Sequence, residues 1–250
     1  MKKNIIILTH GWTGSSIFAG LFGTAGYWLG SETMRKPDYN TNENADLVGL
    51  NRVLLQALSP GLSHEHCFDF GEVVAMAQRS ENLDLQPYRD FVARCSRSSP
   101  WLWKDPRLTW TIRGWAKVLD LEHTAFLVLT RDDVQAWISA NTRRHVQSLQ
   151  FTRQYNHGIT RSNVAFVQDQ GLPFLQMSFE DLLLSPEKTL ERLNEFFEVE
   201  LTLAHLQGVC REPLHQKSRG WKDLGLAALI YLKNFHERDG RGRSVVPRGT

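Results

Sequence analysis

The segment His10-Gly11-Trp12-Thr13-Gly14-Ser15-Ser16 lies between the apolar run Ile5–Leu8 and apolar residues at helical spacing, Ile17, Phe18, Leu21 and Phe22. A glycine-containing turn between a buried strand and a helix gathers backbone N–H groups and a helix N-terminus at one spot. That arrangement suits an anion, phosphate most often. Gly11 and Gly14 permit tight turning, and Ser15 and Ser16 add hydroxyl donors. No lysine follows Gly14, so the GxxxxGK[ST] pattern is absent, as is GxGxxG. An ordinary nucleoside triphosphatase is therefore disfavoured. A second candidate anion ligand is Arg131, directly after the most apolar strand-like run, Ala125–Thr130. In an open α/β sheet a residue at the end of a strand faces the ligand crevice.

The elements that must hold these residues alternate. Ile5–Leu8 reads as a strand buried on both faces, Ile17–Leu29 as a helix, and the polar stretch Gly30–Asn44 as a loop. Leu47, Leu50, Val53, Leu54 and Leu58 follow helical spacing up to Ser59-Pro60-Gly61. Leu62–Ser99 is weakly patterned and partly helical. Further strands are expected at Pro100–Lys104, Ala125–Thr130 and Phe174–Ser178, with helices at Leu108–Leu119, from Val134 to about Arg144, and Leu224–Phe235. Ser185-Pro186-Glu187 reads as a capped helix start. The pattern predicts one α/β domain over 1–240, P-loop-like, with a central, mainly parallel sheet flanked by helices, and a disordered tail over 241–250.

Composition narrows the function classes. The 250 residues carry 29 Lys+Arg against 27 Asp+Glu, a net charge of +2, too balanced for a nucleic-acid-coating protein. No apolar run approaches the roughly 20 residues of a membrane span, and Ile5–Leu8 is too short for a signal peptide core. Cys67, Cys95 and Cys210 are odd in number and widely spaced, which suggests neither a disulfide framework nor a metal site. His64-Glu65-His66-Cys67 reads as a polar loop, and no metal is expected. A cytoplasmic protein is the expectation. The tryptophans at 101, 103, 110 and 115 read as core. Oligomeric state is not written in the sequence.

Several segments, taken together and in order, resemble the sulfotransferases that use 3′-phosphoadenosine 5′-phosphosulfate (PAPS), in particular bacterial, carbohydrate-type members. Trp12-Thr13-Gly14-Ser15-Ser16 stands where that family has its RSGTS phosphosulfate loop. Glu43-Asn44-Ala45-Asp46-Leu47 resembles its EN-x-D segment, and Lys104-Asp105-Pro106-Arg107-Leu108 its KDPRL segment. Phe126 to Ser139 is similar to its strand-loop-helix for the 3′-phosphate, with Arg131 and Ser139 in the matching positions. Ser178-Phe179-Glu180-Asp181-Leu182-Leu183, then Ser185-Pro186-Glu187, resembles its YEDLL…DPE stretch.

The resemblance implies a transferase that binds PAPS, moves its sulfuryl group to a hydroxyl of a saccharide, lipid or small metabolite, and releases adenosine 3′,5′-bisphosphate. Gly11, Trp12, Thr13, Gly14, Ser15, Ser16, Arg131 and Ser139 would hold the nucleotide. Lys104 would supply positive charge, and Glu43 the base, with His10 and Glu32 in reserve. An alternative reading makes Glu43 the cap of the helix that starts near Asp46, and Arg107 a structural partner of Asp105. Where the family loop offers Arg or Lys, this chain has Trp12, so the charge must come from Lys104, Lys36 or Arg35, in that order of preference. Lys217-Ser218-Arg219-Gly220-Trp221-Lys222 faintly resembles a basic loop that covers PAPS; a solvated turn is the first reading. Two rivals stand beside this one. The missing cation fits a nucleotide- or anion-binding protein of the same fold without catalysis. His10-Gly11 is similar to the oxyanion segment of serine α/β-hydrolases, although no GxSxG elbow follows; Gly61-Leu62-Ser63-His64-Glu65 lacks the closing glycine.

Overall fold

Ile5, Ile6, Ile7 and Leu8 are all withdrawn from solvent, so the first strand is covered on both faces, as a central parallel strand must be. The computed structural model describes residues 2–36, 39–210, 219–234 and 244–246. In chain order the first elements are β1 (Asn4–Thr9), α1 (Ser15–Thr24), β2 (Thr33–Arg35), β3 (Asn40–Asn44) and α2 (Ala45–Leu58). Next come β4 (Cys67–Asp69), α3 (Phe70–Arg79), α4 (Gln86–Ser96), β5 (Leu102–Lys104), α5 (Leu108–Trp115), β6 (Thr124–Thr130) and α6 (Asp133–Thr142). The remainder are α7 (Leu149–Asp169), β7 (Phe174–Ser178), α8 (Phe179–Leu184), α9 (Pro186–Phe197), α10 (Leu203–Val209), α11 (Trp221–Lys233) and β8 (Ser244–Val246).

The central sheet has the order β5-β1-β6-β7, and every neighbouring pair in it is parallel. Its strands alternate sides with period two. Ile6, Leu8, Trp103, Phe126 and Val128 face a core built with α2, α3, α4, α5 and α7. Ile5, Ile7, Leu102, Leu127 and Leu129 face a second core with α1, α8, α9 and α10. The α/β, mainly parallel architecture expected from the sequence is the observed one. The tryptophans lie in the first core, Trp101 stacked on Trp103 at 4.6 Å and Trp103 edge-on to Trp115 at 4.9 Å.

Four local expectations change. Gly30–Asn44 is not a plain loop: β2 and β3 form an antiparallel hairpin. Its strands are polar because they close on each other through side chains, Asn40 Nδ2 to Thr33 Oγ1 at 2.8 Å and Thr41 Oγ1 to the Met34 carbonyl at 2.9 Å. Helix α7 was not legible, because its buried residues Phe151, Ile159, Phe166 and Val167 are diluted among polar ones. Pro186 opens α9 as expected, yet the Ser185 hydroxyl makes no cap bond. The expected tail at 241–250 lies outside the described residues except for Ser244–Val246, which pair in parallel with β4. No described helix is long and apolar enough to cross a membrane.

Candidate functional site

Because the four strands are parallel, the turns after β1, β5 and β6 emerge at one edge of the sheet. The turn after β1 is tied down from below. The Thr9 hydroxyl donates to the Leu129 carbonyl at 3.0 Å and lies 2.6 Å from the Thr13 hydroxyl, so Thr13 is turned into the protein. Trp12 (φ 68°) and Gly14 (φ 73°) both take left-handed backbone, which costs a tryptophan about 1 kcal/mol or more. Gly14 has a second requirement: a Cβ there would stand 2.5 Å from the Phe179 ring. No side chain caps α1 at Gly14, so its first-turn amides open at this edge beside Ser15 and Ser16.

Lys104, the last residue of β5, is buried and its Nζ donates to three oxygens. These are Glu43 Oε1 at 2.6 Å, the Thr41 carbonyl at 3.1 Å and Ser16 Oγ at 3.3 Å. One ammonium thus joins β5, the β2–β3 hairpin and the start of α1. Glu43 does not cap α2. Asn44 does, its Oδ1 accepting from the amides of Asp46 and Leu47, a cap worth about 1 kcal/mol. Behind Lys104, the fully buried Asp105 accepts from Asn51 Nδ2 at 2.8 Å and from Arg107 Nη1 at 3.0 Å. Arg107 therefore holds Asp105, and Asn51 also accepts from Thr111 and Trp115, which locks α2 onto the β5–α5 turn. Asn42, in left-handed backbone, donates to the Ser16 carbonyl at 2.8 Å and fastens the hairpin to α1.

Arg131 comes back over the first turn: its Nη1 donates to the Trp12 carbonyl at 2.8 Å. Its guanidinium lies 5.1 Å from the Phe179 ring centroid, and its Nε is 3.7 Å from Glu180 Oε1. Burial lowers its pKa to about 10; Glu180 opposes this, while the charges of Arg219 and Arg143 push the same way, and the group stays cationic at neutral pH. Glu180 also accepts from the Asp132 amide at 2.9 Å, joining the turns after β6 and β7. Ser139 is buried on α6, and its hydroxyl has no hydrogen-bond partner among the described residues. Lys217 and Ser218 fall outside the described residues. Arg219 is docked on α6, its amide donating to Gln135 Oε1 at 2.6 Å.

The structure does not bring His10 to Lys104 and Glu43. His10 is buried on the wall of a cavity of about 660 Å³ that it shares with Arg131, Asp133, His157, Arg161 and Glu180. Its Nδ1 is 2.8 Å from the Gly11 carbonyl, so Nδ1 carries the proton and donates. Burial lowers its pKa to about 4, outweighing the Gly11 carbonyl and Asp133, which raise it. Glu32 is exposed, and its carbonyl accepts from the amide of Ala45, the first residue of α2. Ser63 lies in the turn into β4, away from the central sheet. Among the described residues no group of three or more His, Cys, Asp or Glu is placed to hold a metal ion.

Two cations surround Trp12. Lys36 Nζ lies 5.4 Å from its ring centroid and the Arg143 guanidinium 5.5 Å. Lys36 was among the expected candidates; Arg35 is exposed with no contact to the turn among the described residues. Sequence reasoning missed Arg143, Tyr39, Asn42 and the Thr41 carbonyl. Only Arg143 carried a signal: a basic residue at the C-terminal end of the helix that follows Arg131 and was expected to run to about Arg144.

No family model matches the chain, and no curated protein does. Among solved structures it is similar to the sulfotransferase domain from the curacin biosynthetic pathway, at 14% identity and a TM-score of 0.51, over 90% of this chain and 82% of that one. It is also similar to the sulfotransferase domain of the Synechococcus PCC 7002 olefin synthase, at 17% identity and a TM-score of 0.48, over 88% and 82%. Sulfotransferase STF9 from Mycobacterium avium matches at 13% identity and a TM-score of 0.45, over 99% and 79%. With its parallel sheet, its glycine turn after β1 and its helices on both faces, the chain has the P-loop-like α/β fold of the sulfotransferase domains.

Proposed function

We propose that this protein binds PAPS and transfers its sulfuryl group to a hydroxyl of a saccharide, lipid or small-molecule acceptor, releasing adenosine 3′,5′-bisphosphate. The observation that carries the reading is the 2.8 Å bond from Arg131 to the Trp12 carbonyl: the anion-binding turn and the strand-end arginine meet at one place. The residues present fit a nucleotide with an anionic group at each end. The uncapped start of α1, with Ser15 and Ser16, would bind the phosphosulfate. Arg131 would bind the 3′-phosphate with forked, charge-assisted bonds, and the Ser139 hydroxyl, without a partner among the described residues, would complete that site. Bound there, PAPS supplies an activated sulfuryl group.

Lys104 would place positive charge beside Ser16, where negative charge builds up on the oxygen that leaves sulfur. Glu43, held by Lys104 at 2.6 Å, would accept the acceptor's hydroxyl proton. The acceptor oxygen forms the new S–O bond as the bond from sulfur to the bridging oxygen breaks. The step is in-line and governed by positioning and charge. His10, apart from this pair, has no part in it.

Calorimetry with adenosine 3′,5′-bisphosphate tests the reading. Saturable binding is expected, with Arg131→Ala weakening it about 100-fold, the loss of a bidentate charged contact. Absence of saturable binding would refute the proposal. Binding without transfer to any member of a hydroxyl-acceptor panel would favour the non-catalytic reading, to which Trp12 in the cation's place points.

A further inference from the structure

The exposed cations Lys36 and Arg143 converge on one aromatic rim, a half-buried pair of rings. Arg143 lies 5.5 Å from the Trp12 centroid and 5.3 Å from that of Tyr39, and its Nη1 donates to the Tyr39 hydroxyl at 3.2 Å. Lys36 lies 5.4 Å and 5.9 Å from the same two rings. The rim is built rather than incidental. The Lys36 amide donates to the Tyr39 carbonyl at 2.9 Å, closing the hairpin tip. Trp12 is held in left-handed backbone with its carbonyl clasped by Arg131, and its ring meets His145 edge-on at 5.0 Å.

Among the described residues neither Lys36 nor Arg143 is within ion-pair distance of a carboxylate, whereas Lys104 and Arg131 each are. Two cations gathered on one pair of rings repel each other, and the ring faces offset only part of that. An anion between them removes the conflict. The rim also adjoins the chemistry: β3, which follows the hairpin tip, carries Glu43, and the charge of Arg143 is felt at Arg131.

We infer that Lys36 and Arg143, seated on Trp12 and Tyr39, bind a carboxylate or sulfate on the acceptor, so that the acceptor is an acidic hydroxyl compound. The inference rests on the sulfuryl-transfer reading above. It gives the unusual Trp12 a use: in place of a cation for the nucleotide, the turn presents a platform that holds two cations for the acceptor.

The test uses protein saturated with adenosine 3′,5′-bisphosphate and two matched pairs of probes, methyl glucuronide against methyl glucoside and 4-hydroxybenzoate against phenol. Calorimetry is expected to show the charged member binding about tenfold tighter in at least one pair, the size of one charge-assisted contact. Arg143→Gln combined with Lys36→Gln is expected to bring that pair to parity, with bisphosphate affinity changed by less than about threefold. Equal or undetectable binding in both pairs, or a preference that survives the double substitution, overturns the inference and leaves the transfer reading standing. Failure of the protein to bind the bisphosphate takes down both.

Discussion

Lys104 Nζ and Glu43 Oε1 stand 2.6 Å apart, with the lysine side chain 4% and the glutamate side chain 15% exposed. They come from the end of β5 and the end of the β2–β3 hairpin. Their pairing joins the central sheet to the hairpin that Asn42 fastens to the start of α1. A pair this buried is expensive to break from one side, because the partner left behind is an uncompensated charge.

Lys104→Ala is therefore expected to lower stability by about 3 kcal/mol, and Lys104→Met combined with Glu43→Leu to recover most of it. Urea denaturation of the native protein, Lys104→Ala and the double variant measures this. In the same Lys104→Ala protein, adenosine 3′,5′-bisphosphate binding should persist while sulfuryl transfer falls at least about 100-fold, the scale of one lost transition-state charge contact. Loss of binding with transfer intact would reverse the roles given to Lys104 and Arg131.

His10 sets a pH dependence with a definite sign. Its folded pKa is lowered from 6.5 to about 4 by burial. Above pH 6.5 neither state binds the proton, and the full stability is present. As pH falls from 6.5 towards 4, only the unfolded chain is protonated, and folding loses up to about 3 kcal/mol from this group. Denaturation between pH 7.5 and 4.5 should show a shallower decline for His10→Gln than for the native protein. Parallel curves would mean that His10 titrates normally in the folded state.

Gly14 is required twice, by its φ of 73° and by the Phe179 ring 2.5 Å from where a Cβ would sit. Gly14→Ala should cost about 3 kcal/mol, the sum of left-handed strain and overpacking. Phe179→Leu in the same chain should relieve the overpacking alone, leaving about 1 kcal/mol of strain. The coupling energy from thermal melts of the two single variants and the double variant reads this. Additive losses would show that the ring does not confine position 14.

The strands β1, β6 and β7 and the turn between them were legible because apolar runs and glycine turns are local signals. Arg131 was legible as a strand-end residue for the same reason, since it directly follows the most apolar strand. The hairpin was not: its five-residue strand Asn40–Asn44 has no apolar alternation, and it is held by side-chain bonds between polar residues that read as loop. The reserve placed on His10 failed to anticipate that a residue adjoining the turn can point to the other side of β1, into the β6–β7 cavity.

Residue types along the chain determined where the glycine turn, the basic residues and the buried strands lie, because strand burial, turn chemistry and charge are properties of short segments. The tertiary structure alone decided which of those groups meet. Lys104 reaches Glu43 across 61 residues, Arg131 reaches the Trp12 carbonyl across 119, and Arg143 reaches Tyr39 across 104. Each contact depends on the register of the parallel sheet and on how the hairpin and α6 pack over its edge, and those are set by the whole core rather than by any stretch of sequence.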